Sequence, residues 1–453
     1  MSIQSAMLNA AGSLKVFSRV LDVTQNNVTN ASTPGYVKQT QTLEAVPFDA
    51  ASGAMGGVRA GDVESARDEY SEQAVRRETT SLGLAQQNVE SLTGVQSAFD
   101  ISDNSGLAGA LSDLYSSFSA WGATPTDSTA CQAVIDSAGK VAQAFHQTSQ
   151  ALTSIRDDTQ TQLGNTVNTV NQLTAQIADY NLKAAQASGN DSAVESQINA
   201  ALEELSQYAN ITAMPQAGGS YDVLLDGQIP LVLGGRQYQL SSAVDSSASP
   251  GARILSGSAD VTAKVDGGQL GALLDVYNSV LPGYLGDASQ AGGLNVMAQQ
   301  FADSVNGILG GGTPGLALFS YDASNPNAAQ TISVDSSVTA GQLAAVPVNV
   351  PLALSGLSSA SQDALGGSTF TEFYGQMASS VGSKLSAATD QQQTQQAAVA
   401  QAKNLRQQTS GVSLDEEAMT LIEFQRAYEA SSKLVTTLDQ ITQDTIDMLQ
   451  TFT

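Results

Sequence analysis

Both ends of the chain carry an apolar repeat of 3.5 residues, and this constrains the fold more than any other feature. Ile3, Met7, Ala10, Leu14, Phe17, Leu21, Thr24 and Val28 follow a 4-3-4-3 spacing. Phe424, Ala427, Ser431, Leu434, Leu438, Ile441, Thr445, Met448 and Phe452 do the same at the other end. Such spacing is the seam of a coiled coil. A second row, Leu421, Tyr428, Val435, Thr442 and Leu449, widens the rear face so that it can touch more than one neighbour. Residues 1–33 contain Lys15, Arg19 and Asp22, whereas residues 414–453 contain eight acids and two bases. Unlike signs favour the two helices lying together. The same repeat also fits two helices packed inside one monomeric bundle.

The boundaries of these helices are legible. The front one runs into Asn26-Asn27-Val28-Thr29-Asn30 and then Thr33-Pro34-Gly35-Tyr36. Asn tolerates the left-handed conformation of a helix end, and Pro-Gly suits a type II turn. The rear one starts at Ser413-Leu414-Asp415-Glu416, where Ser413 and Glu416 form a capping-box pattern and Asp415 to Glu417 sit at the positive end of the helix dipole. Gly411 marks the break from the helix before it.

Between the ends the spacing predicts long helices over about 65–99, 134–187, 193–208 and 369–409, with a helix pair over 268–309 broken near 286–293. Glu72 and Arg76 form an i,i+4 pair on the first. Strand signals occur twice: hairpins near 218–265, with Asp226-Gly227 and Gly234-Gly235 turns, and short β-rich runs in 316–353. The expected fold is therefore mainly α with a smaller β part. It comprises a terminal coiled-coil domain (1–33 with 420–453), a helical middle domain (34–315 with 354–419) and a small β-rich insertion (316–353).

Composition excludes several functional classes. One Cys, Cys131, closes no intrachain disulfide and builds no cysteine zinc site. One His, His146, does not supply a paired-histidine metal motif. A net charge of −25 argues against nucleic acid and anionic membranes as partners. No apolar run approaches the ~18 residues of a membrane span. The first residues lack the basic start of a secretory signal.

Catalytic and cofactor motifs are weak. Gly310-Gly311-Gly312-Thr313-Pro314-Gly315 matches a dinucleotide fingerprint only formally, because a helical pattern precedes it and a strand-like one follows. Gly139-Lys140 lacks the rest of a P-loop. The carboxylate pairs Asp157-Asp158, Glu203-Glu204 and Glu416-Glu417 are adjacent on helices and diverge by about 100°. The first two read as solvated faces and the third as helix-start charge. His146 and Cys131 read as packing residues, and Trp121 as a core or corner residue. No catalytic, cofactor or metal residue is assigned.

The motif Asn26 to Tyr36, with Asn26, Asn27, Asn30, Pro34, Gly35 and Tyr36 as its defining residues, resembles the N-terminal signature of the flagellar rod, hook and hook-associated axial protein family. Gly411, Leu414, Asp415 and Glu416, continuing through Phe424-Gln425-Arg426-Ala427-Tyr428, are similar to its C-terminal signature. The hook-associated branch fits best. The chain is expected to pass from Tyr36 into Arg67-Asp68-Glu69-Tyr70 and a long helix, whereas rod and hook subunits enter β-structure.

The resemblance implies a non-enzymatic structural subunit of the hook–filament junction, with a rod or hook subunit as the alternative. It implies type III export without signal cleavage, an extracellular flagellar location and a ring of about eleven copies. It further implies contacts with the hook protein and a second junction protein, and a cytosolic export chaperone on the C-terminal helix. The assembly interface would be Ile3, Met7, Leu14, Phe17, Leu21, Val28, Phe424, Tyr428, Leu434, Leu438, Ile441 and Met448.

Overall fold

A computed structural model describes residues 3–33, 35–49, 54–99, 105–186, 191–245, 248–313 and 315–451. The front heptads form α1 (Ile3–Asn30). The chain then enters a hairpin of β1 (Gln39–Asp49) and β2 (Ala54–Ser65), paired antiparallel with Gln39 opposite Ser65. This corrects the expected direct passage into a long helix. The strand has no apolar alternation to announce it, because its inward positions are Gln39 and Gln41. Gln41 Nε2 donates to Gly61 O at 2.8 Å, so burial leaves that amide nitrogen partnered. The hairpin lies along α1, and Gly57 comes so close that a Cβ there would fall 2.2 Å from Asn9 Oδ1.

The helical body follows: α2 (Glu69–Ser97), α3 (Gly106–Ala123), α4 (Ser128–Gln186) and α5 (Ser192–Tyr208). Asp68 caps α2 by accepting from Ser71 N–H at 2.7 Å, and Asp191 caps α5. Helix α3 was not expected, although Leu107, Leu111, Leu114, Phe118 and Trp121 repeat at 4-3-4-3 and are all fully buried. Trp121 is thus a core residue, with its indole N–H on Pro125 O at 3.1 Å.

The β part comes next. Strands β3 (Ile211–Pro215), β4 (Tyr221–Leu225), β5 (Ile229–Leu233) and β6 (Arg236–Gln237) form one antiparallel sheet in that order. Strands β7 (Leu240–Val244), β8 (Ala252–Ser256) and β9 (Ala259–Asp260) form another. The Asp226-Gly227 turn takes positive φ at both residues, as its sequence demands. Beyond it, α6 (Gly268–Asp275) passes through a π turn at Val276–Val280 into α7 (Pro282–Leu285), and α8 (Gly293–Gly312) follows the expected break. Gly310 to Gly312 therefore end a helix, the reverse of the order a phosphate loop needs.

The segment 316–353 is the second correction. Its strand content is one two-pair ladder of β10 (Phe319–Ser320) and β11 (Ser333–Val334). Around that ladder lie α9 (Ala328–Thr331), α10 (Ala340–Leu343) and α11 (Asn349–Ser355). Local polar bonds explain this. Asp322 accepts from Ser324 N–H, Asp335 from Ser337 N–H, and Thr339 with Gln342 forms a capping box. Such contacts cut the segment into turns before strands can lengthen. The mainly α class with a smaller β part stands, with most strand residues in 39–65 and 211–260.

Helix α4 is the spine. At 59 residues it spans about 88 Å. Its first half, from Cys131 to Leu152, joins α3, α8, the 316–357 segment and the start of α12 (Phe370–Ser410) in one core. Its second half, from Leu163 to Ala184, joins α5, α6 and both larger sheets in another. Helix α12 opens with a capping box of Thr369 and Glu372, then runs antiparallel along α2 to Ser410, and α13 (Leu414–Thr451) completes the chain.

Because Phe319 packs its ring 5.4 Å from that of Phe301, the 316–353 segment belongs to the first core. Phe319→Ala should cost the body about 3–5 kcal/mol in urea unfolding. A change below about 0.5 kcal/mol, as at an ordinary surface position, would mean that the segment is a peripheral insertion.

Candidate functional site

The two ends of the chain meet at a neck built around Asn27, which is 1% exposed. Its carboxamide imitates a peptide unit. Oδ1 accepts from Gln39 N–H at 2.9 Å and from Tyr36 OH at 2.8 Å. Nδ2 donates to Gln39 O at 2.8 Å and to Glu417 Oε2 at 3.0 Å. One side chain thus ties α1 to the start of β1 and to the first turn of α13. Glu417 is 2% exposed and also meets Lys38 Nζ at 3.3 Å, while Lys38 reaches Glu416 at 2.9 Å. Burial, reinforced by the negative charge of Glu417, pushes the Tyr36 hydroxyl up to about 12, so it remains a donor at neutral pH.

The rest of the motif residues shape this turn. Asn30 Nδ2 donates to Asn26 Oδ1 at 2.7 Å, and Thr33 Oγ1 donates to Asn30 Oδ1 at 3.2 Å, an exposed ladder that finishes α1. Pro34 lies outside the described residues. Gly35 takes φ +77°, and a Cβ there would press to 3.1 Å on Ser196 O of α5. Gly411 is needed for space, since a Cβ would fall 2.3 Å from Gln407 O. Between them Ser410, almost fully buried, accepts Lys38 N–H on its carbonyl at 3.0 Å and Asp68 N–H on Oγ at 3.1 Å. At Leu414 to Glu416, Ser413 Oγ accepts from Glu416 N–H at 3.4 Å. The Glu416 carboxylate turns to Lys38, and Asp415 and Leu414 stay exposed.

Behind this turn lies a buried ionic cluster that sequence reasoning missed. Arg67 donates to Gly35 O at 2.8 Å, pairs with Glu195 at 2.8 Å and also pairs with Glu72. Arg406 of α12 pairs with Glu72 at 3.2 Å and Glu203 at 2.7 Å, and Lys403 pairs with Glu203 at 2.8 Å. The expected Glu72–Arg76 pair is replaced, since Arg76 turns to Glu69. Glu203 is not on a solvated face either, although Glu204 is exposed. Burial works to raise the pKa of Glu203, but hydrogen bonds from Lys403 and Arg406 outweigh it and hold the carboxyl below its ordinary value. One signal was available: seven of the twelve residues 67–78 are charged in a chain that is 13% charged.

Above the neck, α1 and α13 run antiparallel, with Asn27 beside Glu417 and the Phe17 ring 5.9 Å from Phe424. Met7, Leu14, Phe17 and Leu21 of α1, and Phe424 and Leu438 of α13, are half-buried. Ile3, Val28, Tyr428, Leu434, Ile441 and Met448 remain exposed. Phe452 lies outside the described residues. Past Ser431 the half-buried line takes in the second apolar row at Val435 and Thr442, with Leu438 of the first row between them. A straight helix drifts about 20° per heptad from a 3.5 repeat, which accounts for the shift. Val16 and Val20 of α1, off the expected seam, are buried.

No group of three or more His, Cys, Asp and Glu that could hold a metal occurs among the described residues, and no described helix is long and apolar enough to cross a membrane. Cys131 is buried, and burial raises its thiol above the ordinary value. His146 is half-buried on α4.

Comparison with known proteins matches residues 92–319 to the flagellar hook-associated protein FlgK helical domain, and residues 404–448 to the C-terminal region of flagellar basal body rod FlgEFG proteins. Flagellar hook-associated protein 1 of Bacillus subtilis is 24% identical, with 97% of each chain covered. The Escherichia coli protein of that name is 26% identical over 68% of this chain and 55% of its own length. The structure of the flagellar hook junction protein FlgK from Burkholderia pseudomallei superposes with a TM-score of 0.64 at 17% identity, covering 74% of this chain and 99% of that one. That last likeness concerns the fold alone.

Two outcomes follow from the neck. Asn27→Ala strips partners from Gln39, Tyr36 and Glu417 and should lower the opening free energy of the neck by about 3 kcal/mol, read as faster hydrogen exchange at Gln39. The depressed Glu203 contributes stability that is complete above its unfolded value of 4.5 and is lost as pH falls through the folded value. The urea midpoint should therefore drop more steeply as pH falls below 4.5 in the parent than in Glu203→Gln. Parallel curves would remove Glu203 from the linkage.

Proposed function

Because the chain belongs to the flagellar hook-associated protein FlgK family, we propose that it is a structural subunit of the bacterial flagellar hook–filament junction, without catalytic activity, that assembles through its terminal helices. The observation that carries this reading is the antiparallel pair of α1 and α13, which is joined to the body by the neck yet leaves apolar rows in water. At about 100° per residue, Leu434, Ile441 and Met448 lie within about 40° of one another on one flank of the contact line. Tyr428 and Ile446 lie on the other flank. Helix α13 has 38 residues against 28 in α1, so about 15 Å of it extends past its partner. A monomer that exposes such rows calls for neighbours to cover them.

In this reading the assembly interface consists of Ile3, Met7, Leu14, Phe17, Leu21, Val28, Phe424, Tyr428, Leu434, Leu438, Ile441 and Met448. Copies of the chain form a ring of about eleven. The hook protein lies on one side and the second junction protein on the other. Before export through the flagellar type III apparatus, without signal cleavage, a cytosolic chaperone covers the C-terminal helix. The mature location is extracellular, in the flagellum. A rod or hook subunit is the second reading, favoured by the hairpin after Tyr36 and by the rod-type C-terminal match. The helical-domain match over 92–319 favours the junction.

Leu434 is 52% exposed, so Leu434→Asp should leave the monomer's urea midpoint within about 0.5 kcal/mol of the parent. In cells it should abolish incorporation and leave hooks without filaments, because a carboxylate would be buried unpaired at the interface. Normal filaments from this variant would refute the interface assignment.

A further inference from the structure

The outer half of α1 presents a stripe that the rest of the described chain leaves in water. At about 100° per residue, Leu8, Gly12, Lys15 and Arg19 fall within about 60° of one another, away from the buried Val16 and Val20. Leu8 is 64% exposed, and both cations are exposed. Gly12 lies between Leu8 and Lys15 with nothing within 4 Å of where a Cβ would sit, so a second helix has room to approach closely. Elsewhere in the molecule Arg67, Arg76, Arg77, Lys403 and Arg406 each pair with an acid. Neither Lys15 nor Arg19 does so among the described residues. In a chain of net charge −25, residues 3–21 hold these two bases and no acid, and Asp22, the one acid of α1, lies a turn nearer the neck.

The end of α13 is the complement. Residues 434–453 hold Asp439, Asp444 and Asp447 and no base. Asp444 and Asp447 are exposed and enter no ion pair among the described residues. Ile441, Asp444 and Met448 fall within about 60° of one another, with Asp447 about 60° further round. An exposed apolar residue thus sits beside acids on α13 as Leu8 sits beside Lys15 on α1. Within one chain the two sets do not meet. The antiparallel pair sets Phe17 on Phe424, so Asp444 lies ~30 Å past that contact and Lys15 only ~3 Å past it. The remaining ~27 Å is far beyond the reach of two side chains.

We infer that the end of α13 docks on the Leu8–Arg19 stripe of α1 in a second copy of this chain, with Asp444 and Asp447 meeting Lys15 and Arg19, and Ile441 beside Leu8. The contact joins two different surfaces, so it is heterologous and propagates around a ring or along a helix instead of closing a dimer. Each α13 is then held near the neck by its own α1 and at its far end by a neighbour's. The inference rests on the assembly reading above and names the two surfaces that meet.

The test uses cells that lack the parent subunit and make one full-length, epitope-tagged form at a time. The forms are Lys15→Glu with Arg19→Glu, Asp444→Lys with Asp447→Lys, all four substitutions together, and Leu434→Asp. The tagged subunit in isolated flagella is measured relative to the same form exported to the medium. Each reversed pair is expected to lower this ratio about tenfold, because it sets like charges together across the contact. The fourfold form, which restores opposite signs, is expected to recover to at least about half of the parent ratio. The positions are exposed, so every monomer should keep the parent's urea midpoint. A parent-like ratio for either reversed pair, or a fourfold form no better than the pairs, overturns the inference. If Leu434→Asp is still excluded in that case, the assembly reading stands. Normal incorporation of Leu434→Asp overturns both.

Discussion

The Asn27 carboxamide is the contact on which the rest of the molecule depends. A chain whose two ends must lie side by side faces a problem that heptads alone do not solve. Apolar rows specify that two helices pair, but they are indifferent to sliding by one turn. Asn27 sets the register through its directional hydrogen bond to Glu417 of α13, while its three bonds with Gln39 and Tyr36 hold the carboxamide in place. They bring Glu417 of α13 opposite the last turns of α1, and that placement sets Phe17 on Phe424 further along. A buried amide acts here as a polar residue does in a coiled-coil seam, trading some stability for one alignment.

The ionic cluster behind the neck extends that logic into the body. Arg67, Glu72, Glu195, Glu203 and Arg406 come from the α2 entry, α2 itself, α5 and α12. Buried pairs of this kind add little net stability over an apolar core, yet breaking one leaves an uncompensated charge. The direction of the terminal pair relative to the body is therefore costly to change. For a structural subunit of the hook–filament junction, a fixed neck transmits orientation from the body to the terminal pair. The long α4 continues that rigidity through two cores that would otherwise be separate folding units.

Much of this could be read from residue spacing. The terminal helices, their ends and the long helices of the body follow from apolar period and from capping residues, because those are local properties within one or two turns. Helix α3 carries the same legible period in Leu107, Leu111, Leu114, Phe118 and Trp121. The hairpin over 39–65 was hidden because its inward glutamines resemble surface residues until the backbone they bond to is in place. The 316–353 segment looked β-rich because it holds β-branched residues. Its asparate and threonine side chains bond their own backbone first and divide it into turns.

The sequence by itself determined that both ends are helices with one apolar face, where each begins and stops, and that the chain is mainly α. It also carried the two end motifs that point to the family. Only the tertiary structure decided that those helices run antiparallel, and that Asn27 and Glu417 are buried partners 390 residues apart. It likewise turned scattered charges at 67, 72, 195, 203 and 406 into one cluster. The physical reason is range. Apolar periodicity and capping act between residues a few positions apart, whereas a charge or an amide takes its meaning from whatever the completed fold sets against it.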